Sequence, residues 1–257
     1  MALIRFIRLP AGRQVYIRII SSMLFVVLPA YNEEKQIGRV IRGLFQHVHG
    51  FAPITDGETD SGNRSIQIIV VDDGSMDGTV EVAEGEGATV LRHVINRGQG
   101  AALQTGNEYA LAQGAEVVVH FDADGQFNPE DVILALQTLE QKKLDVVLGS
   151  RFLDKRSKIP WLKQYILLPL GRLVNYFYTG LPLTDFHNGF RVLSRNALEK
   201  IRITQDGMAH NSEIQAQIQR YNLAYAEHPV EVRYHEFGQG MRGGLRIARD
   251  LFMENFR

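Results

Sequence analysis

The chain of 257 residues contains no cysteine, which excludes disulfides, thiol catalysis and metal sites built on cysteine. Charge of one sign is also lacking. The net charge of −1 and the isoelectric point near 6.7 provide no overall attraction to nucleic acid. No uninterrupted run of about 18 apolar residues exists, and the nearest candidate, residues 165–183, is interrupted by Pro169, Arg172, Asn175 and Pro182. We therefore predict no transmembrane helix and no nucleic-acid partner.

Along the chain, strand patterns alternate with helix patterns. Apolar runs predict strands, and apolar residues at helical spacing predict helices between them. Alternating elements of this kind indicate an α/β fold, with a mostly parallel sheet and helices on both faces. The predicted strands are residues 23–28, 66–71, 89–91, 117–121 and 146–148, and the predicted helices are 33–46, 98–112 and 129–139.

Each of the five predicted strands is followed by a short polar or glycine-rich motif. In chain order these are PAYNEE (29–34), VDDGSMDGT (71–79), NRGQGAA (96–102), FDADGQ (121–126) and GSR (149–151). In an open parallel sheet the ligand site lies outside the carboxyl ends of the strands. We therefore expect all five motifs to meet at one crevice, which would take a nucleotide diphosphate together with a divalent metal.

The FDADGQ motif is the candidate metal site. Asp122, Asp124 and Gln126 offer oxygen ligands around one turn, and Mg²⁺ or Mn²⁺ prefers such ligands and often shares them with phosphates. A metal here would act as a Lewis acid and neutralise a departing diphosphate. The alternative interpretation is a turn closed only by side-chain hydrogen bonds.

Three further motifs are candidates for the nucleoside and its phosphates. Asp72 is expected to accept hydrogen bonds from the nucleobase, Tyr31 to stack on the base, and Glu33 to accept from a ribose hydroxyl. Gly98 and Gly100 lack side chains and would let the backbone approach the ligand. The alternative for both acidic motifs is that their side chains only cap turns and helices.

Two further residues are candidates for catalysis. Arg151, which ends the fifth strand motif, suits phosphate oxygens because of its planar fork, although a surface salt bridge is the alternative. Glu213, in the helical pattern HNSEIQAQIQ (210–219), is either a general base or a solvated acid. Beyond this helix, the runs 223–227 and 230–234 are predicted as short strands.

As a set, these motifs resemble the inverting family-2 glycosyltransferases of the GT-A fold. Within that group the chain most resembles the dolichyl-phosphate and polyprenyl-phosphate sugar transferases. The segments that carry the resemblance lie within about residues 23–240: VVLPAYNEE, IIVVDDGSMDGT, NRGQGAAL, HFDADGQFNPED, LGSRF and TDFHNGFRVLSR.

The resemblance implies transfer of one sugar, with inversion, from a UDP- or GDP-linked donor to a lipid-linked phosphate. It implies a nucleotide-sugar site formed by Pro29, Ala30, Tyr31, Glu33, Asp72, Asp73, Gly98, Gly100, Asp122, Ala123 and Arg151. The metal ligands would be Asp122, Asp124 and Gln126, and Arg151 would meet the phosphates. Together with Glu213, which the helical pattern and not the resemblance suggests, Asp124 and Arg151 are the predicted catalytic residues. The acceptor side would hold Asp185, Gly189, Phe190, Arg191 and Arg242. The chain departs from the family at Phe237, where an arginine is common, and at Met241-Arg242, where Ser-Lys is common.

The resemblance also sets the expected organisation. We expect a basic amphipathic extension (1–22), a GT-A domain (23–240) with a donor half (23–151) and an acceptor half (152–240), and a C-terminal amphipathic helix (241–257). Residues 49–65 form an expected loop without function. The extension either packs on the domain or lies on an anionic membrane. With the basic, aromatic stretch 151–180, it predicts a cytoplasmic protein peripheral to the membrane, held directly or by a small membrane partner.

Two other functions remain open. Transfer to a sugar hydroxyl requires a general base, which Glu213 or Asp185 would supply, whereas a phosphate acceptor is already anionic and requires none. An inactive nucleotide-sugar-binding subunit is the non-enzymatic alternative, but such a subunit has no need to keep Asp122 and Asp124.

Overall fold

A computed structural model describes residues 4–8, 14–18, 23–48, 66–154, 172, 175–177 and 179–233. In these segments the strands are β1 (Ile4–Arg8), β2 (Gln14–Arg18), β3 (Leu24–Ala30), β4 (Ile66–Asp72), β5 (Thr89–Arg92), β6 (Val117–His120), β7 (Val146–Ser150), β8 (Arg191–Ser194) and β9 (Tyr225–Pro229). The helices are α1 (Glu34–His47), α2 (Thr79–Gly85), α3 (Gln99–Ala112), α4 (Glu130–Gln141), α5 (Arg195–Lys200) and α6 (His210–Arg220). The predicted alternation of strands and helices in the first half is confirmed.

A seven-stranded sheet in the order β5-β4-β3-β6-β8-β7-β9 forms the centre of the fold. Its pairings are parallel except for those of β8, which runs antiparallel to both β6 and β7. The sequence did not predict β8, because its four residues are few and begin with an arginine. The predicted mostly parallel sheet is nevertheless confirmed.

Apolar side chains cover both faces of this sheet. On one face, Ile37, Val40, Ile41 and Leu44 of α1 pack with the alternate residues of β3 and β4, and α4 adds Val132. On the other face, α3, α5 and α6 pack against the remaining residues of the same strands. Because successive strand residues point to opposite faces, an uninterrupted apolar run such as that of β3 fits a sheet buried on both sides. The prediction of helices on both faces is confirmed.

Several elements expected from the sequence differ in the structure or fall outside the residues that it describes. Residues 230–234 are predicted as a strand, but Val232 makes only an isolated bridge with Phe127 in the described part of the chain. In the N-terminal extension, β1 and β2 pair antiparallel, with Ile4 opposite Arg18. The expected loop at 49–65, most of the basic, aromatic stretch 151–180, and the C-terminal helix lie outside the described residues. Among the described helices none is long and apolar enough to cross a bilayer.

Candidate active site

A pocket of about 390 Å³ opens at the carboxyl edge of the sheet, where β3, β4 and β6 end. This volume lies within the usual range for small-ligand sites. Four of the five predicted motifs contribute to it, as expected from the topology. Its walls are formed by Pro29, Ala30, Tyr31, Glu33, Asp73, Asn96, Gly98, Gln99, Ala102, Asp122, Ala123 and Asp124.

The turns after β3 and β4 are fastened to each other beside this pocket. Asn32 adopts a left-handed backbone with φ of 56°, its N–H donates to the Ser75 hydroxyl at 2.9 Å, and its side-chain oxygen accepts from the Met76 N–H at 2.9 Å. The Glu33 N–H donates to the Thr79 hydroxyl at 2.8 Å. These cross-links hold Tyr31 and Glu33 at the pocket wall without help from a ligand.

The two adjacent aspartates after β4 have different environments. Asp72, expected to face the nucleobase, is fully buried, accepts from the Ser75 N–H at 3.2 Å and lies 3.3 Å from the Arg92 guanidinium. Asp73 lines the pocket instead and accepts from the backbone N–H groups of Arg97 (2.9 Å) and Gly98 (2.6 Å). The structure thus gives Asp72 a role in shaping the turn, and Asp73 a role in holding the NRGQGAA loop.

The two glycines of that loop make room for the protein's own chain. A Cβ on Gly98, whose φ is 108°, would lie 2.4 Å from the Asp206 carbonyl oxygen. A Cβ on Gly100 would lie 2.0 Å from the Gln205 carbonyl oxygen. Gly98 lines the pocket, but the close approach expected of Gly100 toward the ligand is instead made to residues 205–206, because that loop packs against the start of α3.

Asp122 lies at the centre of the acidic turn. Gln99 donates to its Oδ1 at 3.0 Å, and a Cβ on Gly189 would stand 2.7 Å from its Oδ2. Burial, followed by repulsion from Asp124, raises the pKa of Asp122 to about 7, against the opposing effect of Arg191. Two carboxylates this strongly coupled suit a divalent cation, because a cation stabilises both in their charged form.

The same turn determines how a metal would be held. Asp124 accepts the Gln126 backbone N–H at 2.9 Å, so Gln126 contributes to the turn through its main chain. Within the described segments no cluster of three or more His, Cys, Asp or Glu side chains could hold a metal ion. The donor set is therefore two carboxylates facing a pocket, which fits an ion that is completed by phosphate oxygens of a ligand.

Arg151 and Asp185 form an ion pair at the end of β7. The Arg151 guanidinium donates to both Asp185 oxygens, at 2.6 and 2.8 Å, and its backbone N–H donates at 3.1 Å. Asn188 adds a fourth donor at 3.3 Å. Arg151 does not line the pocket, although its charge still opposes the rise in the pKa of Asp122. Asp185 is buried, and both of its carboxylate oxygens accept hydrogen bonds from Arg151.

Two residues expected on the acceptor side lie inside the protein. Phe190 is fully buried and packs edge-on against Phe121 and Phe127, with centroid separations of 6.2 and 5.8 Å. Arg191 is 1% exposed, and burial lowers its pKa to about 10. The third member of the motif, Gly189, contacts Asp122. The reason is topological: this motif leads into β8, an interior strand. Arg242 lies outside the described residues.

Glu213 fastens a loop. Its carboxylate accepts from the backbone N–H groups of Thr204 (2.9 Å) and Gln205 (3.0 Å) and from the Thr204 hydroxyl. It does not line the pocket. Because the loop that it holds is the one packed on Gly98 and Gly100, Glu213 supports the pocket from outside, and the geometry gives no support for a role as general base.

Three residues of the pocket wall are not among those predicted from the sequence: Asn96, Gln99 and Ala102. All belong to the NRGQGAA motif, in which the glycines are the more obvious feature. The signal that could have found two of them was helical spacing, since Gln99 begins α3 and Ala102 lies one turn further.

The mostly parallel sheet, with a two-carboxylate turn at its carboxyl edge, has the GT-A fold. The family model described as glycosyl transferase family 2 matches residues 25–202, and the chain belongs to that family. It is therefore a nucleotide-sugar-dependent glycosyltransferase, as the resemblance of the motifs predicted.

The chain is also similar to three individual proteins. An uncharacterized protein of Methanocaldococcus jannaschii is 34% identical, over 90% of this chain and 91% of its own. The UDP-N-acetylglucosamine–dolichyl-phosphate N-acetylglucosaminyltransferase of Methanococcus voltae is 26% identical, over 90% and 94%. Glucosyl-3-phosphoglycerate synthase of Mycobacterium tuberculosis, solved with Mn²⁺ and UDP-glucose, superposes with a TM-score of 0.62 at 22% identity, over 90% and 77%. The last comparison concerns the fold alone.

Proposed function

We propose that the protein is a metal-dependent, inverting glycosyltransferase that moves one sugar from a nucleotide-diphosphate donor to a polyprenyl or dolichyl phosphate. The observation that carries the proposal is the pair Asp122 and Asp124 at a pocket of nucleotide size, formed by four motifs from neighbouring strand ends. The dolichyl-phosphate acceptor named for the Methanococcus voltae relative supports a lipid-linked phosphate here.

Different residues of the pocket would bind different parts of the donor. Tyr31 and Glu33 lie where a nucleoside would enter, and Asp73 keeps the NRGQGAA loop against it. Asp122 and Asp124 would hold Mg²⁺ or Mn²⁺, which when bound neutralises the diphosphate as a Lewis acid. Arg151 adds positive charge near Asp122 and is fixed by Asp185. Of the two aspartates after β4, Asp73 lines the pocket, and the nucleobase contact of Asp72 stays a prediction.

The state of the candidate bases favours a phosphate acceptor. Glu213 is occupied by three donors at the 204–205 loop, and Asp185 is occupied by Arg151. An acceptor hydroxyl would need such a base, whereas a phosphate oxygen attacks as an anion. In the inverting step this oxygen forms the new bond to the anomeric carbon from one face, while the bond to the diphosphate breaks on the other.

A lipid-linked acceptor also implies where the protein works. We infer a peripheral position on the cytoplasmic face of the membrane, through direct contact or a small membrane partner.

A transfer assay tests the proposal. Labelled UDP- and GDP-sugars are incubated with Mn²⁺ and either a short polyprenyl phosphate or free sugars, and the label is followed into organic solvent. We expect lipid-extractable label with the opposite anomeric configuration to the donor. Label found only on free sugars would replace the lipid acceptor by a hydroxyl. Binding of the donor without any transfer would favour the inactive binding subunit.

A further inference from the structure

Arg191 lies beside Asp122 inside the sheet. The antiparallel register pairs His120 of β6 with Arg191 of β8, so continuing the register places Asp122 opposite Gly189. Residues two apart on a strand point to the same face. Arg191 and Asp122 therefore occupy the same face as diagonal neighbours, about 7–8 Å apart by the usual spacing of a strand pair.

The Arg191 side chain is held by two other segments of the protein. One guanidinium nitrogen donates to the Gly189 carbonyl oxygen at 3.2 Å, and the other donates to the Asn211 side-chain oxygen at the start of α6. At 1% exposure the side chain has no access to an acceptor in solvent. Its Nε is buried without a hydrogen-bond partner among the described residues, so hydrogen bonds compensate the guanidinium only in part, and the nearby charge of Asp122 also stabilises it.

Gly189 connects Arg191 to the acidic turn. A Cβ on Gly189 would lie 2.7 and 2.9 Å from the two carboxylate oxygens of Asp122, so the backbone of Gly189 is the surface on which this carboxylate rests. From the other side Gln99 donates to Asp122 at 3.0 Å. Whatever fixes the Gly189 backbone therefore also fixes the direction of the carboxylate toward the pocket.

We propose that Arg191 is a positioning residue for the donor site: it fixes Gly189 and the start of α6, and through them holds the Asp122 carboxylate in the orientation that receives the metal and the donor diphosphate. This inference rests on the proposed function. It replaces the acceptor contact that the sequence suggested for Arg191 by a structural role at the donor site.

The variants Arg191→Lys and Arg191→Met separate geometry from charge. Lysine keeps the positive charge but loses the fork that joins Gly189 to Asn211, and methionine loses both. If the charge alone mattered, Arg191→Lys would leave Mn²⁺ affinity unchanged, and Arg191→Met would raise it by removing a cation near the site. If positioning matters, both variants weaken it, by roughly 10–100-fold as for other residues behind a metal ligand.

The measurement is the dissociation constant of Mn²⁺ in the presence of UDP, followed by electron paramagnetic resonance well below the melting temperature. Arg195→Lys, a change on the exposed first turn of α5, is the matched control and should behave as wild type. A lower Tm with unchanged Mn²⁺ affinity in Arg191→Lys would overturn the inference, as would tighter binding in Arg191→Met. If the wild type binds no Mn²⁺ with UDP, the titration is repeated with GDP, and failure with both nucleotides overturns the proposed function as well, so the two failures are distinguishable.

Discussion

The donor side and the expected acceptor side use polar residues in opposite ways. Around the donor pocket, Glu33, Asp73 and Asp124 are fixed by backbone donors or lie at the pocket wall, with side chains toward the open volume. On the other side, Asp185 is paired with Arg151, and Arg191 is buried. The donor site is thus preformed, whereas the predicted acceptor residues form the wall behind it.

The difference results from the chain's path. The donor motifs sit in turns after parallel strands, where side chains can project beyond the sheet edge. The segment 185–191 instead enters β8, which is inserted antiparallel between β6 and β7. Residues that lead into an interior strand have neighbours on both sides. Contacts between an acceptor and the side chains of Phe190 and Arg191 would therefore require this packing to change.

The largest expected effect comes from the donor side. Asp124→Ala should lower the rate of sugar transfer by on the order of 10²–10³-fold or more, because the charge that faces the diphosphate site is lost. The melting temperature should stay near that of wild type, since the turn lies at the pocket surface. Glu108→Ala, which removes an exposed carboxylate bonded to Gln104 on α3, is the control. Comparable transfer by both variants would contradict the account.

The second-largest effect is expected from a methyl group added at Gly189, between the donor pocket and the residues expected on the acceptor side. Gly189→Ala places a Cβ 2.7 Å from Asp122, so the carboxylate has to turn, and we expect donor binding to weaken by roughly 10–100-fold. Gly207→Ala adds the same group where nothing lies within 4 Å. Titration calorimetry with UDP and Mn²⁺ compares the two. Equal affinities would show that Asp122 tolerates displacement.

The packing of the donor loop on residues 205–206 can be tested by stability. Gly100→Ala brings a Cβ 2.0 Å from the Gln205 carbonyl oxygen, and overpacking of this kind lowers the free energy of unfolding by about 1–3 kcal/mol. Gly85→Ala, in α2 with nothing within 4 Å, should raise it by up to about 1 kcal/mol. Urea denaturation measures both, and a stable Gly100→Ala protein would refute the packing interpretation.

A variant of Glu213 tests whether the acceptor half supplies a general base. Glu213→Gln keeps the shape but weakens the bonds to Thr204 and Gln205, so we expect kcat to fall less than about tenfold. Loss of a general base would lower kcat by about 10²–10⁴-fold. A loss in that larger range, with the wild-type melting temperature, would restore the catalytic assignment.

The effect that is smallest at neutral pH concerns His210, which is buried. Burial, followed by the charge of Arg191, lowers the pKa of His210 from 6.5 to about 4. The unfolded chain therefore binds this proton first, and the free energy of unfolding falls as the pH drops from about 6.5 to 4, by up to about 1.4 kcal/mol per unit. His210→Gln should remove that part of the slope in denaturation curves. Parallel curves would show that His210 titrates normally.

The parallel sheet and the position of the pocket could be predicted from the sequence because both depend on local patterns, namely apolar runs and the polar motifs at their ends. From the sequence, Asp72 was expected to face the ligand, whereas Asp73 lines the pocket, since adjacent residues at a strand end point in opposite directions and the turn decides which of them faces the ligand. Gly100 signals a close approach, but composition does not tell whether a ligand or residues 205–206 approach. Arg191 became interpretable only through its register with His120.

Calorimetric titration of the wild-type protein with UDP- and GDP-sugars, with and without Mn²⁺, tests the central claim most directly. The account predicts that one class of nucleotide sugar binds with one-to-one stoichiometry, and that removing the metal or introducing Asp124→Ala weakens this binding strongly. Binding of equal strength without metal, and in the Asp124→Ala variant, would contradict the assignment of the donor site.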